Sequence, residues 1–399
     1  MNALRMPICF PARILALAAL MAVAPLATAS AQIADEAAAR LKAYAADQGL
    51  TVEWEEIEAS GDDAVLVGVR AGSAGTMTPI GDVRLDGVSR DGKGYRIKSM
   101  SLPWFRAADP DEGIDFNISD VKLGDVLVPE ESLRDYYGGS IFYRQFDVGG
   151  LSLNLGGMEV FSLGDVHFEA TEPDAGTAMD FSGAAESFTL DLSLMEDQDQ
   201  LAVIDALGLR QLKGYLEVEG SWNPNDGRLE LAQYDIAVVD AGTLGLTLDI
   251  DGATPDLIGS MREMVKKMNE SGGTDDPAQG LAVLGLMQQL TFNSAEIGFV
   301  DDALTGKVLD YVARNQGMKP ADIANQAKAV VPFVLAQLNN PELTAQASRA
   351  IAAFLDDPQS LTVSARPAEP VPFALIFATA MTTPVELTKS LGVTVTAND

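Results

Sequence analysis

The sequence predicts an α+β fold: a long, mostly antiparallel twisted sheet built of hairpin meanders, with C-terminal helices packed on its apolar face. Three observations predict it. From Leu50 to about Ile250, apolar residues recur mostly at every second position, the pattern of strands with one buried side. Short Gly, Asp and Asn turns separate these runs, as in antiparallel hairpins. Past Gly252 the period becomes helical. One-sided strands beside amphipathic helices bury each other's apolar surfaces as two layers.

The chain starts with a leader. Arg5 and Arg13 are positive, "ILALAALMAVA" (Ile14–Ala24) is apolar, and Ala29-Ser30-Ala31 has the small-x-small pattern of signal-peptide cleavage. The apolar run is about half the ~20 residues that span a bilayer, so no membrane-spanning segment is expected once residues 1–31 are removed. Cys9, the single cysteine, precedes the apolar core, where it cannot be a lipoprotein cleavage site. No cysteine follows Ala31, and an exported chain without disulfides fits a bacterial periplasm, with secretion as the alternative. Two regions are expected after the leader: an N-terminal helix and β-rich region over 32–252, and a mainly helical region over 253–399 whose short strands complete the sheet.

In "IADEAAARLKAYAADQG", Ile33, Ala37, Leu41 and Tyr44 share a helical face and Gly49 ends the helix. Hairpins are expected to turn at Gly61-Asp62 and at Asp91-Gly92-Lys93-Gly94. Phrases of alternating apolars closed by Gly or Asp then recur, as in "GGLSLNLGG" and "GTLGLTLDIDG", like successive rungs of one sheet. A short helix at Asp199–Leu207 leads into "LEVEGSWNPNDGRLEL" (Leu216–Leu231), two strands joined by Asn223-Pro224-Asn225-Asp226-Gly227. Between Leu231 and Tyr234 the alternation changes parity, which predicts a bulge.

Thr254-Pro255 opens a helix with Leu257, Met261, Met264 and Met268 on one stripe. "ESGGTDDPAQG" is a polar loop, followed by a helix to about Leu290 and the strand "LTFNSAEIGFV". Helices are expected over Asp302–Asn315, Pro320–Asn339 and Pro341–Leu355. After them come a strand at Leu361–Ala365, an extended "RPAEPVP" linker and a helical pair over Phe373–Leu391 broken at Pro384. The terminal "VTVTA" pairs with Leu361–Ala365 or joins the main sheet, because a free apolar strand invites aggregation.

The residues exclude several chemistries. His167 is the only histidine, and no G-x-S-x-G, Walker A, Rossmann or H-E-x-x-H motif occurs. No catalytic residue and no cofactor stand out. Two acidic clusters are weighed against metal binding. Asp109, Asp111, Asp115 and Asp120 have spacings near those of a calcium loop, but glycine is at the fifth position and no bidentate Glu closes the set. Asp165, His167 and Glu169 alternate along one strand and so share a face. Both are read first as surface, a turn and a solvated strand face.

Charge narrows the partners. With 27 basic and 58 acidic residues the chain carries a formal −31, a field that repels nucleic acid and anionic lipid headgroups. It does not bear on neutral ligands, lipid tails or basic proteins. Three stretches, "LGLRQLKGYLEVEGSWNPNDGRLEL", "SAEIGFVDDALTGKVLDYVA" and "FLDDPQSLTVSARPAEPVPF…LGVTVTAND", resemble an uncharacterised exported family of alphaproteobacteria over roughly the C-terminal half. The run of alternating strands is also similar in pattern to AsmA-like envelope proteins, a resemblance that implies association with lipid movement but carries over no site residue.

The expected function is a non-enzymatic periplasmic envelope protein binding a lipid or other apolar molecule in a groove between sheet and helices. Its site is expected at Leu216, Val218, Trp222, Leu246 and Leu248 and at the Met261, Met264, Met268 stripe. Two alternatives stand beside it: a structural or adaptor protein whose acidic surface meets a basic partner, and a carboxylate-based hydrolase.

Overall fold

The computed structural model describes residues 31–399 except 74, 75, 110, 175, 196 and 271–276. The leader read at 1–31 therefore lies, but for Ala31, outside the described residues, as does most of the "ESGGTDDPAQG" loop. Sixteen strands form a long, open, antiparallel sheet, flanked by helices. The chain divides into two compact units. One comprises the described residues up to Phe105 with Lys122–Arg134 and Ser140–Tyr143; the other comprises Arg106–Val121, Asp135–Gly139 and Arg144–Asp399. The division falls across strands of the sheet. Position 252, where the periodicity changes, lies inside the second unit, because strands beyond it complete the same sheet.

In the first unit, helix α1 (residues 31–47) ends where Gly49 takes a left-handed conformation at φ 77° and Leu50 N–H bonds back to Ala45 O. Strands β1 (Thr51–Glu53) and β2 (Glu56–Ser60) both pair with β3 (Asp63–Ser73), the latter through the two-residue turn at Gly61-Asp62. β4 (Thr76–Asp91) and β5 (Gly94–Asp109) form the next hairpin, and β6 (Ile114–Pro129) follows. Ala34, Ala37 and Ala38 are small enough to bring α1 close to the sheet, so Leu85 and Ile97 are fully buried beneath it. Polar ties fix the helix. Tyr95 Oη donates to Glu36 at 2.7 Å, and Arg40 and Tyr44 both donate to Pro129 O. Burial, then the Glu36 bond, push the Tyr95 phenol up, and that same bond holds the Glu36 carboxyl down.

The second unit carries most of β7 (Phe142–Leu155), then β8 (Met158–Ala170), β9 (Met179–Asp191), α2 (Gln198–Leu207), β10 (Gln211–Asn223), β11 (Arg228–Val238) and β12 (Gly242–Asp251). Helices α3 (Pro255–Glu270) and α4 (Pro277–Met287) precede β13 (Thr291–Asp301). Next come α5 (Leu304–Gln316), α6 (Pro320–Leu335), α7 (Pro341–Asp356), β14 (Ser360–Ala365), β15 (Val371–Pro372), α8 (Phe373–Thr382), α9 (Pro384–Ser390) and β16 (Val393–Ala397). Gly317 caps α5 at φ 66°, and Asn340 caps α7 by accepting from Leu343 N. The terminal strand takes the first of its two expected positions, Leu361 opposite Ala397 and Val363 opposite Val395. The expected linker is not wholly free, since Val371 and Pro372 pair with β13.

The bulge stands where parity predicts it. Glu219 faces Gln233 while Gly220 faces Leu231, so Ala232 is the extra residue. Gly220 is required opposite it: a Cβ there would stand 2.4 Å from Glu230 O and 2.6 Å from the Phe181 ring. Trp222 closes this corner, buried, its Nε1–H donating to Ala253 O at 2.8 Å. Trp222→Ala should therefore lower unfolding free energy by ~3–5 kcal/mol, the range for a large buried aromatic. A denaturation midpoint close to wild type would show that the corner is not a packed core.

Candidate functional site

The register of the second unit decides which side chains share a face. Opposed residues of an antiparallel pair point the same way. Trp222 opposes Leu229, Leu229 opposes Ile250, Ile250 opposes Phe292, and Phe292 opposes Val371. Leu231, Leu248 and Ala295 form a parallel row, as do Leu216, Ile236, Leu244, Phe299 and Leu361. Leu246 opposes Ile297, which opposes Val363, which opposes Val395. On this central row β10 and β11 contribute the opposed pair Val218 and Tyr234. All these rows lie on one face. The expected residues Leu216, Val218, Trp222, Leu246 and Leu248 are thus brought together on it.

Cover over this face is local. At one end Phe373, which begins α8, meets Phe292 edge-on at 6.1 Å between centroids, and Trp222, Ile250 and Phe292 are buried. At the other, Phe354 of α7 meets Phe299 at 6.4 Å. Between them the face is open: Ile297 is 55 % exposed, Leu244 47 %, Val363 43 % and Tyr234 39 %. The central row crosses β10 to β14 and β16, six strands in about 24 Å at ~4.8 Å per strand. It is an apolar rib with closed ends. Leu216, Val218, Leu246 and Leu248 are half-buried on or beside it, whereas Trp222 belongs to a closed end.

The methionine stripe sits elsewhere. Helix α3 packs against the turn Asp135–Tyr137, with Arg262 donating to Gly138 O at 3.2 Å. Leu257 is the buried member of that stripe, Met264 is half-buried, Met261 is exposed, and the Met268 side chain lies outside the described residues. Sequence reasoning missed Tyr234, Ile297 and Val363. The alternation in each strand was visible, but their place on the rib depends on which strands pair and on the bulge at Ala232.

The opposite face is polar. A concavity of about 470 Å³ there is lined by Glu169, Asp180, Ser182, Glu219 and Glu230 with Arg144 at its side. The register Glu169–Ser182–Glu219 sets the two glutamates two strand spacings apart, about 10 Å. Glu169, Glu219 and Glu230 stand exposed on this face.

Residues of both acidic clusters have partners of their own. Asp115 makes a two-pronged bond with Arg106 at 2.8 Å per prong, which holds its carboxyl below the usual range. Asp109 accepts from the backbone N–H groups of Asp111 and Glu112, and Asp120 lies on β6 at φ 53° beside Gly149. Asp165, His167 and Glu169 all stand exposed along β8. Asp165 is left-handed at φ 50°, and the β7–β8 register runs unshifted past it from Val148–Val166 to Gly150–Gly164. His167 bridges Asp147 of β7 (Nδ1 to Oδ1, 2.5 Å) and Glu169 (Nε2 to Oε1, 3.3 Å). Among the described residues no three His, Cys, Asp or Glu side chains converge to hold a metal ion. No helix there is long and apolar enough to cross a membrane.

Residues 235–398 match the model of a protein family described as an uncharacterized protein. The chain is thus similar to that family over β11 to β16; of the resembling stretches, "SAEIGFVDDALTGKVLDYVA" and the terminal one fall inside the match and "LGLRQLKGYLEVEGSWNPNDGRLEL" precedes it. No curated protein matches the chain.

The histidine bridge has a pH signature. The Asp147 bond raises the imidazolium pKa above its ordinary value, with Glu169 adding to it. A raised folded pKa means the bridge contributes fully below the unfolded value of about 6.5 and is lost as pH rises through the folded one. As His167 is the sole histidine, a proton NMR titration reads it directly. Its pKa should exceed 6.5, and Asp147→Asn should lower it more than Glu169→Gln. A pKa at or below 6.5 would break the assignment.

Proposed function

We propose that this protein is a non-enzymatic envelope protein, exported to the periplasm, that holds a lipid or other apolar molecule against the rib Val218–Tyr234–Leu246–Ile297–Val363. One observation carries the reading: an apolar row exposed in its middle while both ends of the same face are closed by aromatic side chains of α7 and α8. Apolar surface left open in one continuous band is where a binding partner gains most from excluding water. Selectivity follows from charge. A formal −31 favours neutral or zwitterionic molecules over anionic ones. The leader sequence supports export, and the pattern resemblance to AsmA-like proteins supports an apolar cargo. The adaptor reading rests on the polar face, whose exposed carboxylates suit a basic partner.

Purified protein should take up a fluorescent zwitterionic phospholipid, and native mass spectrometry should find its mass on the protein. Ile297→Glu places a charge in the middle of the rib and should weaken uptake at least ~10-fold. Because Ile297 is exposed, the melting temperature should shift by no more than about 2 °C. Wild-type protein that takes up no apolar probe would leave the adaptor reading in front.

A further inference from the structure

The first unit contains an apolar cavity of its own, of about 300 Å³, between α1 and the sheet. Leu66, Val69, Val83 and Met100 of β3, β4 and β5 line one side, and Leu41 and Ala45 of α1 line the other. Leu66 and Val69 are buried, so this wall belongs to the packed core, and the cavity is open to solvent on the side of the exposed Lys42 and Gln48. Its apolar floor offers water few hydrogen-bond partners, so an apolar group gains by displacing water from it. The volume is at the lower end of the range for small-molecule pockets, roughly 300–1,000 Å³. At ~30 Å³ for a water-sized group it holds about ten heavy atoms, enough for one acyl chain and too few for a two-chain phospholipid.

The mouth supplies a polarity. Lys42 and Trp54 both line the cavity, and the Lys42 ammonium lies 5.3 Å from the centroid of the Trp54 ring. Lys42 is exposed, and no carboxylate among the described residues pairs with it. Its neighbours on and around α1 differ: Arg40 is held by Glu130, and Arg134 by Asp47. An uncompensated cation beside an apolar cavity, in a chain with twice as many acids as bases, can meet an anionic head while the cavity takes the tail.

We propose that this cavity binds a single-chain anionic amphiphile, a medium-chain fatty acid, with its tail between α1 and the sheet and its carboxylate at Lys42. The site lies in a different unit from the rib and takes a different ligand, so it stands or falls separately. Isothermal titration of the full chain with decanoate, decanol and decyltrimethylammonium tests it. Decanoate should bind, decanol about fivefold more weakly, as expected for the loss of one exposed ion pair, and the cationic amphiphile not at all. Lys42→Gln should bring decanoate down to the level of decanol and leave decanol unchanged. Ala45→Phe fills the cavity and should abolish both. Should that variant fail to fold, Lys42→Gln still decides the case. Ile297→Glu, which disables the rib, should leave decanoate affinity within about twofold. Equal affinity for decanoate and decanol, no binding of either, binding that survives in a folded Ala45→Phe protein, or binding lost in Ile297→Glu would each overturn the proposal.

Discussion

A sheet with one apolar face must cover that face or use it, and the two units answer this constraint differently. In the first, a single helix with an alanine-rich underside lies close enough to bury Leu85 and Ile97 completely. Three small side chains set that approach; larger ones would lift the helix and open the core. In the second, α8 and α7 cover the ends of the face, through Phe373 on Phe292 and Phe354 on Phe299, with α7 also packed along β16. These residues sit seven positions apart on or against one strand, roughly 23 Å at 3.3 Å per residue. Two rings cannot shield that length, and Ile297 between them stays open. The candidate site follows from the spacing of its covers.

Register turns separate alternations into a continuous face. A slip of one residue would send a whole strand's apolar set to the other side. The bulge at Ala232 performs such a slip on purpose: Leu229 and Leu231 have odd numbers, Tyr234 and Ile236 even ones, and all four face the rib side. Without the extra residue, half of β11 would present its tyrosine and isoleucine to the polar face. Glycine opposite the bulge belongs to the same device, because the Phe181 ring and Glu230 O occupy the space a side chain would need. Gly214, earlier on β10, meets the same demand beneath the Phe188 ring and against Ala237 O.

What the sequence made legible was local. Alternation identified the apolar face, Gly61-Asp62 and Gly92-Lys93 the turns, Gly49 and Gly317 the helix ends, and the parity change the bulge. Each depends on residues within a few positions of one another. What it hid was the identity of partners. Asp147 lies twenty residues from His167, and nothing in "GDVHFEA" announces it. Asp115, weighed as a calcium ligand beside the turn reading, has an arginine partner that meets it only when β5 and β6 exist. The left-handed aspartates are an intermediate case. In Ile118-Ser119-Asp120-Val121, Leu123-Gly124-Asp125-Val126 and Leu163-Gly164-Asp165-Val166 the aspartate has φ near 50° each time. A short polar side chain tolerates that conformation, so the recurring phrase marks left-handed residues inside continuous strands.

Charge completes the account of how an open apolar rib can exist at all. Exposed apolar bands and strand edges drive self-association. Here the reverse of the same strands carries Glu217, Glu219 and Glu230, and the whole chain repels its copies with a formal −31. That repulsion acts over a Debye length of about 8 Å at physiological salt, enough to oppose the approach of a second acidic chain. A neutral molecule feels none of it. The same carboxylates that oppose self-association at the rib therefore do not oppose the neutral guest proposed for it, and the anionic guest proposed for the first unit meets a cation, Lys42, that no carboxylate among the described residues pairs.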